Sequence, residues 1–295
     1  MDINFELYKI FYHAAKLGNF SEAAEQLFIT QSAISQAIKN LETKLGVRLF
    51  HRKTRQLKLT PEGELLFTHI EQAYNFIKTA EQKVLETKGL QNGEIRIGAS
   101  DTVCRYFLLP TLESFNKQYP KIKIQFSNRT SGQILQLLQQ GSIDFGVVTL
   151  PIASNLFEIT EVKNVEDIWV AGNKYKHLQT KQLSLSELAN QPLLLLEKTS
   201  TTRRNLDEFF QFHQLQIKPE IELESVDLLV EFARIGLGIA HVLKESAQIA
   251  IASDELFQVK VEPKMPPRKL GVVTMKNVPP SHAAIKFIDL LTTGY

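Results

Sequence analysis

Two adjoining stretches decide how this chain begins to fold. They are Thr30-Gln31-Ser32-Ala33-Ile34-Ser35-Gln36-Ala37-Ile38-Lys39-Asn40-Leu41-Glu42 and Arg48-Leu49-Phe50-His51-Arg52-Lys53-Thr54-Arg55-Gln56-Leu57-Lys58-Leu59. At about 100° per residue, Ile34, Ala37, Ile38, Leu41 and Leu45 share one stripe of a helix. Ser32, Ser35, Gln36 and Lys39 fall on the opposite side, and Thr30 stands where a capping hydroxyl accepts from a free backbone N–H. Upstream, Ser21 is expected to cap a second short helix packed through Ala23, Ala24 and Leu27, with Phe28-Ile29 as the tight connection. The second stretch reads as strand, cationic turn, strand. Together these pieces predict a winged helix-turn-helix, a device for reading duplex DNA.

The chemistry of the polar face agrees with that reading. Glutamine bonds an adenine edge bidentately, serine hydroxyls serve several base edges, and lysine suits a phosphate. The expected DNA contacts are Ser21, Thr30, Gln31, Ser32, Ser35, Gln36 and Lys39, with Arg52, Lys53 and Arg55 on phosphates. Between Gln31 and Thr60, Lys39, Lys44, Arg48, Arg52, Lys53, Arg55 and Lys58 stand against Glu42 alone. So dense a cationic cluster is a phosphate-binding surface. The bland alternative is a solvated helix face.

At these residues the chain resembles the LysR-type transcriptional regulators. The resemblance is carried by Phe20-Ser21-Glu22-Ala23-Ala24, Leu27 through Ser35, Ile38-Lys39-Asn40-Leu41-Glu42, Leu45-Gly46-Val47-Arg48-Leu49-Phe50-His51-Arg52 and Leu59-Thr60-Pro61-Glu62-Gly63. The remainder has the length and strand–helix order that this family leads one to expect. The resemblance implies a promoter operator in double-stranded DNA, a small-molecule effector, a homodimer or homotetramer, and RNA polymerase as a further partner.

The 295 residues leave room for roughly two or three domains with substantial cores. The formal net charge is only +2, so the signal for DNA lies in local concentration of charge. Cys104 is the single cysteine, which excludes an internal disulfide and a cysteine-cluster metal site. Met1-Asp2-Ile3-Asn4-Phe5-Glu6 has neither the cationic lead nor the apolar core of a secretory signal, and no stretch approaches a membrane span. A cytoplasmic protein without a membrane partner or a cofactor is expected.

Thr60-Pro61 predicts a helix start, with Gly63 a weak point near it. Leu66, Ile70, Ala73, Ile77, Ala80 and Val84 then recur in steps of four and three, the seam of a helix paired with another helix. The seam either packs on its own domain or, as the resemblance implies, joins two chains. Lys88-Gly89 is expected to end this helix and Gln91-Asn92-Gly93 to form a hinge. The domain division is therefore 1–60 for the DNA-binding head, 61–90 for the linker helix and 91–295 for a regulatory domain.

From Glu94 the pattern becomes strand, helix, strand, helix, strand, an α/β unit with a mainly parallel sheet. A second such unit begins near Asp167-Ile168-Trp169-Val170-Ala171. The resemblance implies a periplasmic-binding-protein-like pair of lobes, with crossings near Val162 and Lys264. Lobe I is then about 91–162 and 266–295, and lobe II about 163–265.

In open α/β lobes, ligands bind beyond the carboxyl ends of strands. The residues there are Ser100, Asp101 and Thr102; Thr130 and Ser131; Thr149; and Ser200 and Thr202. Hydroxyl groups recur at four such ends and suit a small polar or anionic ligand, although ordinary helix capping also accounts for each one singly. Ser100, Thr102, Thr149 and Thr202 match the family's usual effector contacts. In members that sense small oxyanions such as sulfate, hydroxyls stand at these same places. Asp101 departs from an anion site, with Arg129 and Arg203 available to offset it. His241 stands where the family usually has an apolar residue, and either lines the cleft or closes the core. Cys104 reads as a packed thiol and Trp169 as core. The seven histidines show no metal spacing, and neither a phosphate loop nor a serine elbow occurs, so an enzyme is the lesser reading. A ligand-independent architectural DNA binder is the other alternative.

Overall fold

The computed structural model describes residues 3–51, 57–86 and 93–293, with backbone only at 82, 83, 85 and 86. Among its described residues the amino-terminal unit holds four helices: α1 (Phe5–Leu17), α2 (Phe20–Leu27), α3 (Gln31–Leu45) and α4 (Pro61–Glu86). The predicted stripe of α3 faces inward, with Ile34, Ile38 and Leu41 buried against Phe11, Ala14, Ala23, Leu49 and Phe50. Thr30 caps α3 by accepting from the Ala33 N–H at 3.2 Å. Gly46, at φ 72°, ends it in the left-handed region that glycine enters without a Cβ clash. Ser21 is not the cap of α2. Asn19 is, accepting from the Ser21 N–H at 2.9 Å, because its side chain lies one residue before the first helical turn.

Beyond α3, Phe50 and Leu59 form an antiparallel bridge, and the His51 N–H donates to the Lys58 carbonyl at 2.9 Å. Glu42, the lone acid of the cationic stretch, accepts from the backbone N–H groups of Leu49 and Phe50 at 2.8 and 3.3 Å and so pins this ribbon to α3. The turn carrying Arg52, Lys53 and Arg55 lies outside the described residues. Thr60 opens α4, accepting from the Gly63 N–H at 3.0 Å. Gly63 is a point of close packing rather than of weakness: a Cβ there would stand 2.1 Å from the Leu49 carbonyl oxygen. Tyr12 stacks on Tyr74 and Phe67 of α4, and Leu66 and Ile70 join the same core. The first half of the seam therefore packs at home, whereas Ile77 stays 40% exposed. The expected helix end at Lys88-Gly89 and the hinge residues Gln91-Asn92 lie outside the described residues, and Gly93 already belongs to a strand.

The second unit begins with β1 (Gly93–Ala99), α5 (Asp101–Val103), a π-helical turn (Cys104–Leu108), α6 (Leu109–Gln118), β2 (Ile122–Asn128), α7 (Ser131–Gln139), β3 (Phe145–Leu150) and β4 (Phe157–Val165). Next come β5 (Asp167–Gly172), a 3-10 turn (Asn173–Leu178), β6 (Gln182–Ser184), α8 (Leu185–Ala189), β7 (Leu193–Leu196), α9 (Thr201–Phe212) and β8 (Pro219–Leu223). The chain ends through α10 (Val226–Arg234), β9 (Ile239–Leu243), α11 (Lys244–Ala252), β10 (Leu256–Glu262), β11 (Arg268–Met275) and α12 (His282–Thr293).

Two sheets result, ordered β2-β1-β3-β11-β4 and β6-β10-β5-β9-β7-β8. Strands β1, β2 and β3 are parallel, as their helical crossovers require. Each sheet as a whole is mixed, because β11 runs antiparallel to β3 and β4, and β5 antiparallel to β9 and β10. Both faces of each sheet are covered. In β7, Leu193 and Leu195 enter one core cluster, while Leu194 and Leu196 enter the other, so a run of four leucines is wholly buried. One residue, Glu166, separates β4 of the first sheet from β5 of the second, and residues 263–267 separate β10 from β11. Strand β11 returns to the first sheet, and α12 packs Phe287 against Phe115 and Phe145.

Candidate functional site

On α3, Gln31, Ser32, Ser35, Gln36 and Lys39 are all exposed, opposite the buried stripe. Neither Ser35 nor Gln36 spends its side chain on an intrachain hydrogen bond among the described residues, so both offer donors and acceptors outward. Thr30 differs. Its hydroxyl caps α3 and bonds the Ser32 hydroxyl at 2.9 Å, which makes it a support for the face. Ser21 is exposed in the first turn of α2. Such a face is able to present amide and hydroxyl groups to base edges.

A cavity of about 620 Å³ opens between the two sheets of the second unit. Ser100, Asp101, Thr102, Thr130, Ser131, Thr149, Ser200, Thr202 and His241 all line it. Convergence follows from topology: β1, β2 and β7 run into α5, α7 and α9 at this edge, and β3, parallel to β1, brings Thr149 beside them. Some hydroxyls are partly committed. The Ser100 hydroxyl accepts from the Val103 N–H at 3.3 Å, Ser131 from the Thr149 N–H at 3.4 Å, and Thr130 donates to Gln133 at 3.2 Å. The side chain of Ser200 makes no capping bond to α9. The walls are not polar alone, since Phe107, Val165, Leu196, Val242 and Leu270 contribute as well.

Sequence reasoning missed the buried ion pair in this cavity. Arg268 grips Asp167 bidentately, with Nη2 to Oδ1 at 2.6 Å and Nε to Oδ2 as the second bond, and its Nη1 donates to Thr149 at 3.1 Å. The two side chains are 9% and 2% exposed, and they tie the start of β5 to the start of β11 where the chain crosses between sheets. Nothing local signals a pair 101 residues apart. Arg203, expected to offset Asp101, is turned the other way. It is 2% exposed and bonds Asp207, Glu222 and the Leu196 carbonyl, because Asp207 lies one turn along α9 and the other two lie on the paired strands β8 and β7. Arg129 does line the cavity, with Nη1 donating to the Asn128 carbonyl at 2.7 Å.

His241 packs on Trp169 at 4.7 Å between ring centroids and is 3% exposed. Burial pushes its pKa down to about 4; Asp167 opposes that shift and Arg268 adds to it. The ring is therefore neutral near pH 7, and its buried Nε2 has no partner among the described residues. Trp169 is core, between Phe210 and His241. Cys104 lies in the π-helical turn outside the cavity lining, its thiol pushed up by burial and by Asp101.

A second bridge joins the lobes near the cavity. Asp227, in the first turn of α10, accepts from Arg105 Nη1 and from the Tyr106 hydroxyl, each at 2.5 Å. Burial and this carboxylate push the Tyr106 phenol up.

The model of the bacterial regulatory helix-turn-helix of the lysR family matches residues 5–64, and that of the LysR substrate binding domain matches 88–295. The chain belongs to the LysR family. It is 27% identical over 284 residues to the transcriptional activator CmpR of Synechocystis sp., spanning 96% of this chain and 93% of that one. To the transcriptional regulator CysL of Bacillus subtilis it is 24% identical over 291 residues, spanning 99% and 97%. Full-length OxyR of Pseudomonas aeruginosa shares the fold with a TM-score of 0.75 at 16% identity, over 99% of this chain and 95% of that one. CbnR, solved in complex with its target DNA, does so at 0.68 and 17%, over 99% and 100%. This LysR-family transcriptional regulator thus combines a helix-turn-helix DNA-binding domain with an effector-binding domain. Among its described residues no helix is long and apolar enough to cross a membrane.

Proposed function

We propose that this regulator reads operator DNA through Ser32, Ser35 and Gln36 on α3, with Gln31, Ser21 and Lys39 beside them and Arg52, Lys53 and Arg55 on phosphates. Thr30 positions the helix. The working division is a head over 1–60, a linker helix over 61–90 that pairs two chains, and a regulatory domain over 91–295. Lobe I of that domain is about 91–162 and 266–295, and lobe II about 163–265. A small polar effector is held between the lobes by Ser100, Thr102, Thr149 and Thr202, with Asp101, Thr130, Ser131, Ser200 and His241 around it. The cavity serves binding and not turnover. Its occupant biases the angle between lobes and, through the homodimer or homotetramer, the spacing of the DNA heads and the approach of RNA polymerase in the cytoplasm.

One observation carries the effector reading: nine residues singled out at separate strand ends and turns line a single cavity. A thermal-shift screen of small metabolites on the full chain, followed by calorimetry on the strongest stabiliser, tests it. Thr102→Val keeps the side-chain shape and removes the hydroxyl. It should weaken that ligand about tenfold while leaving effector-free operator affinity nearly unchanged. Unaltered ligand affinity in both Thr102→Val and Ser100→Ala would place the site elsewhere.

A further inference from the structure

We propose that the effector carries a protonated amino group beside any acidic group, and that Glu245 of lobe II receives it. The ligand class is then a small amino acid or amine-bearing acid and not a bare oxyanion. This rests on the reading of the interlobe cavity as the effector site and adds to it the charge of the occupant.

The first observation is the balance of charge in the cavity. Asp167 and Arg268 neutralise each other in their bidentate pair. Beyond that pair, Asp101, Glu197, Glu224 and Glu245 face only Arg129 and Lys163. The ammonium of Lys163 lies over the Phe107 ring at 5.7 Å. Asp101 and Glu224 are exposed at the cavity's rim, whereas Glu197 and Glu245 are half-buried. This surplus of carboxylate along the lining opposes entry of a simple anion and favours a ligand that brings positive charge.

The second observation concerns hydrogen bonding rather than net charge. Oε2 of Glu245 is buried and has no hydrogen-bond partner among the described residues. The positive end of α11 accounts for an acid in the first turn of that helix. It does not account for burying a carboxylate oxygen without a protein donor, a position that folded proteins fill with a donor from a ligand, an ion or an ordered water. Four residues earlier, in the middle of β9, His241 presents a second buried acceptor or donor, Nε2, without a partner among the described residues. Its imidazole is neutral, with a pKa near 4, so it adds no cation to the cavity. An ammonium group brings three N–H donors and no acceptor, the complement of what this part of lobe II lacks. The acidic end of the same ligand is served by the cavity's hydroxyls and by the start of α9, where Ser200 leaves the first N–H groups uncapped.

The test uses the full chain and matched probes: alanine, serine, glutamate and lysine, each against the 2-hydroxy acid of the same skeleton, together with sulfate. Calorimetry should find at least one amino acid that binds, with its hydroxy counterpart about tenfold weaker or worse. Glu245→Gln should erase the difference within that pair, and Glu245→Asp, which keeps the charge, should retain part of it; thermal melts of both variants confirm that they fold. The inference is overturned if a hydroxy acid or sulfate binds as tightly as the matching amino acid. It is equally overturned if Glu245→Gln keeps full discrimination, or if no amino acid binds. In the first two cases a ligand weakened by Thr102→Val leaves the effector cavity standing. Binding indifferent to both Thr102→Val and Glu245→Gln would remove the cavity reading as well.

Discussion

His241 is held neutral because burial against Trp169 penalises the imidazolium more than Asp167 favours it. Its folded pKa of about 4 lies below the ordinary 6.5. Between those values the unfolded chain takes up a proton that the folded chain does not. The stabilising contribution is therefore complete above about pH 6.5 and is lost as pH falls, amounting to about 3 kcal/mol by pH 4. Denaturant titrations of the parent and of His241→Leu at steps from pH 7 to pH 4 should show the steeper loss only in the parent; equal slopes would contradict the assignment. His13, also lowered chiefly by burial, contributes in the same direction to both proteins and cancels in the comparison. On α3 the contrast is between reading and attraction. Gln36→Ala should relax preference at particular base pairs, costing on the order of 1–3 kcal/mol for the preferred sequence. Lys39→Ala should weaken every sequence alike and lower the dependence on salt. Binding measured on a degenerate DNA library at several salt concentrations separates the two, and uniform loss in the Gln36 variant would deny it a base contact.

At the scale of elements, the bridge from the π-helical turn to α10 is the feature least visible in the sequence. Arg105 and Tyr106 meet Asp227 more than a hundred residues away, and the π turn sets both side chains toward it. Side chains 57% and 32% exposed make the ion pair itself a weak contributor. Asp227→Asn should therefore cost only about 1 kcal/mol in stability. Amide exchange should nevertheless quicken in Cys104–Leu108 and in the first turn of α10; unchanged exchange at both ends would mean that the bridge does not hold them. Helix α3, with its 3.6-residue stripe, is readable from periodicity, and β7 from its short continuous apolar run. Strand β4 is not: Phe157–Val165 alternates poorly and is a strand because β11 pairs with it from Arg268↔Val165 to Met275↔Phe157. Strand β6 and helix α8 are too short, and α11 too weakly patterned, to be legible, whereas β10 alternates cleanly from Phe257 to Glu262 and its pattern does mark a strand.

For the whole molecule, the seam of α4 divides into two parts. Leu66 and Ile70 belong to the core of the DNA-binding head, so a charge at Ile70 would damage folding and tell nothing about assembly. Ile77 and Ala80 are exposed along the same seam. If α4 pairs two chains as proposed, Ile77→Lys with Ala80→Lys should leave the head folded and split that pair, lowering the sedimenting mass by half. A tetramer reduced to a dimer would count in favour, and an unchanged mass against.

The sequence by itself determined the local features of this protein: the amphipathic reading helix with its Thr30 cap, the start of α4 at Thr60-Pro61, the alternation of strand and helix, and the hydroxyl residues where strands give way to helices. These depend on contacts within a few residues, and periodicity and capping chemistry record them directly. Tertiary structure alone decided which charged groups the cavity keeps. Asp167 meets Arg268 across 101 residues, Arg203 turns into lobe II instead of toward Asp101, and Glu245 and His241 carry buried polar atoms without partners among the described residues. Each depends on strand order and on the crossing between two sheets, and a polar side chain's role is set by which partners the closed chain brings within hydrogen-bonding distance.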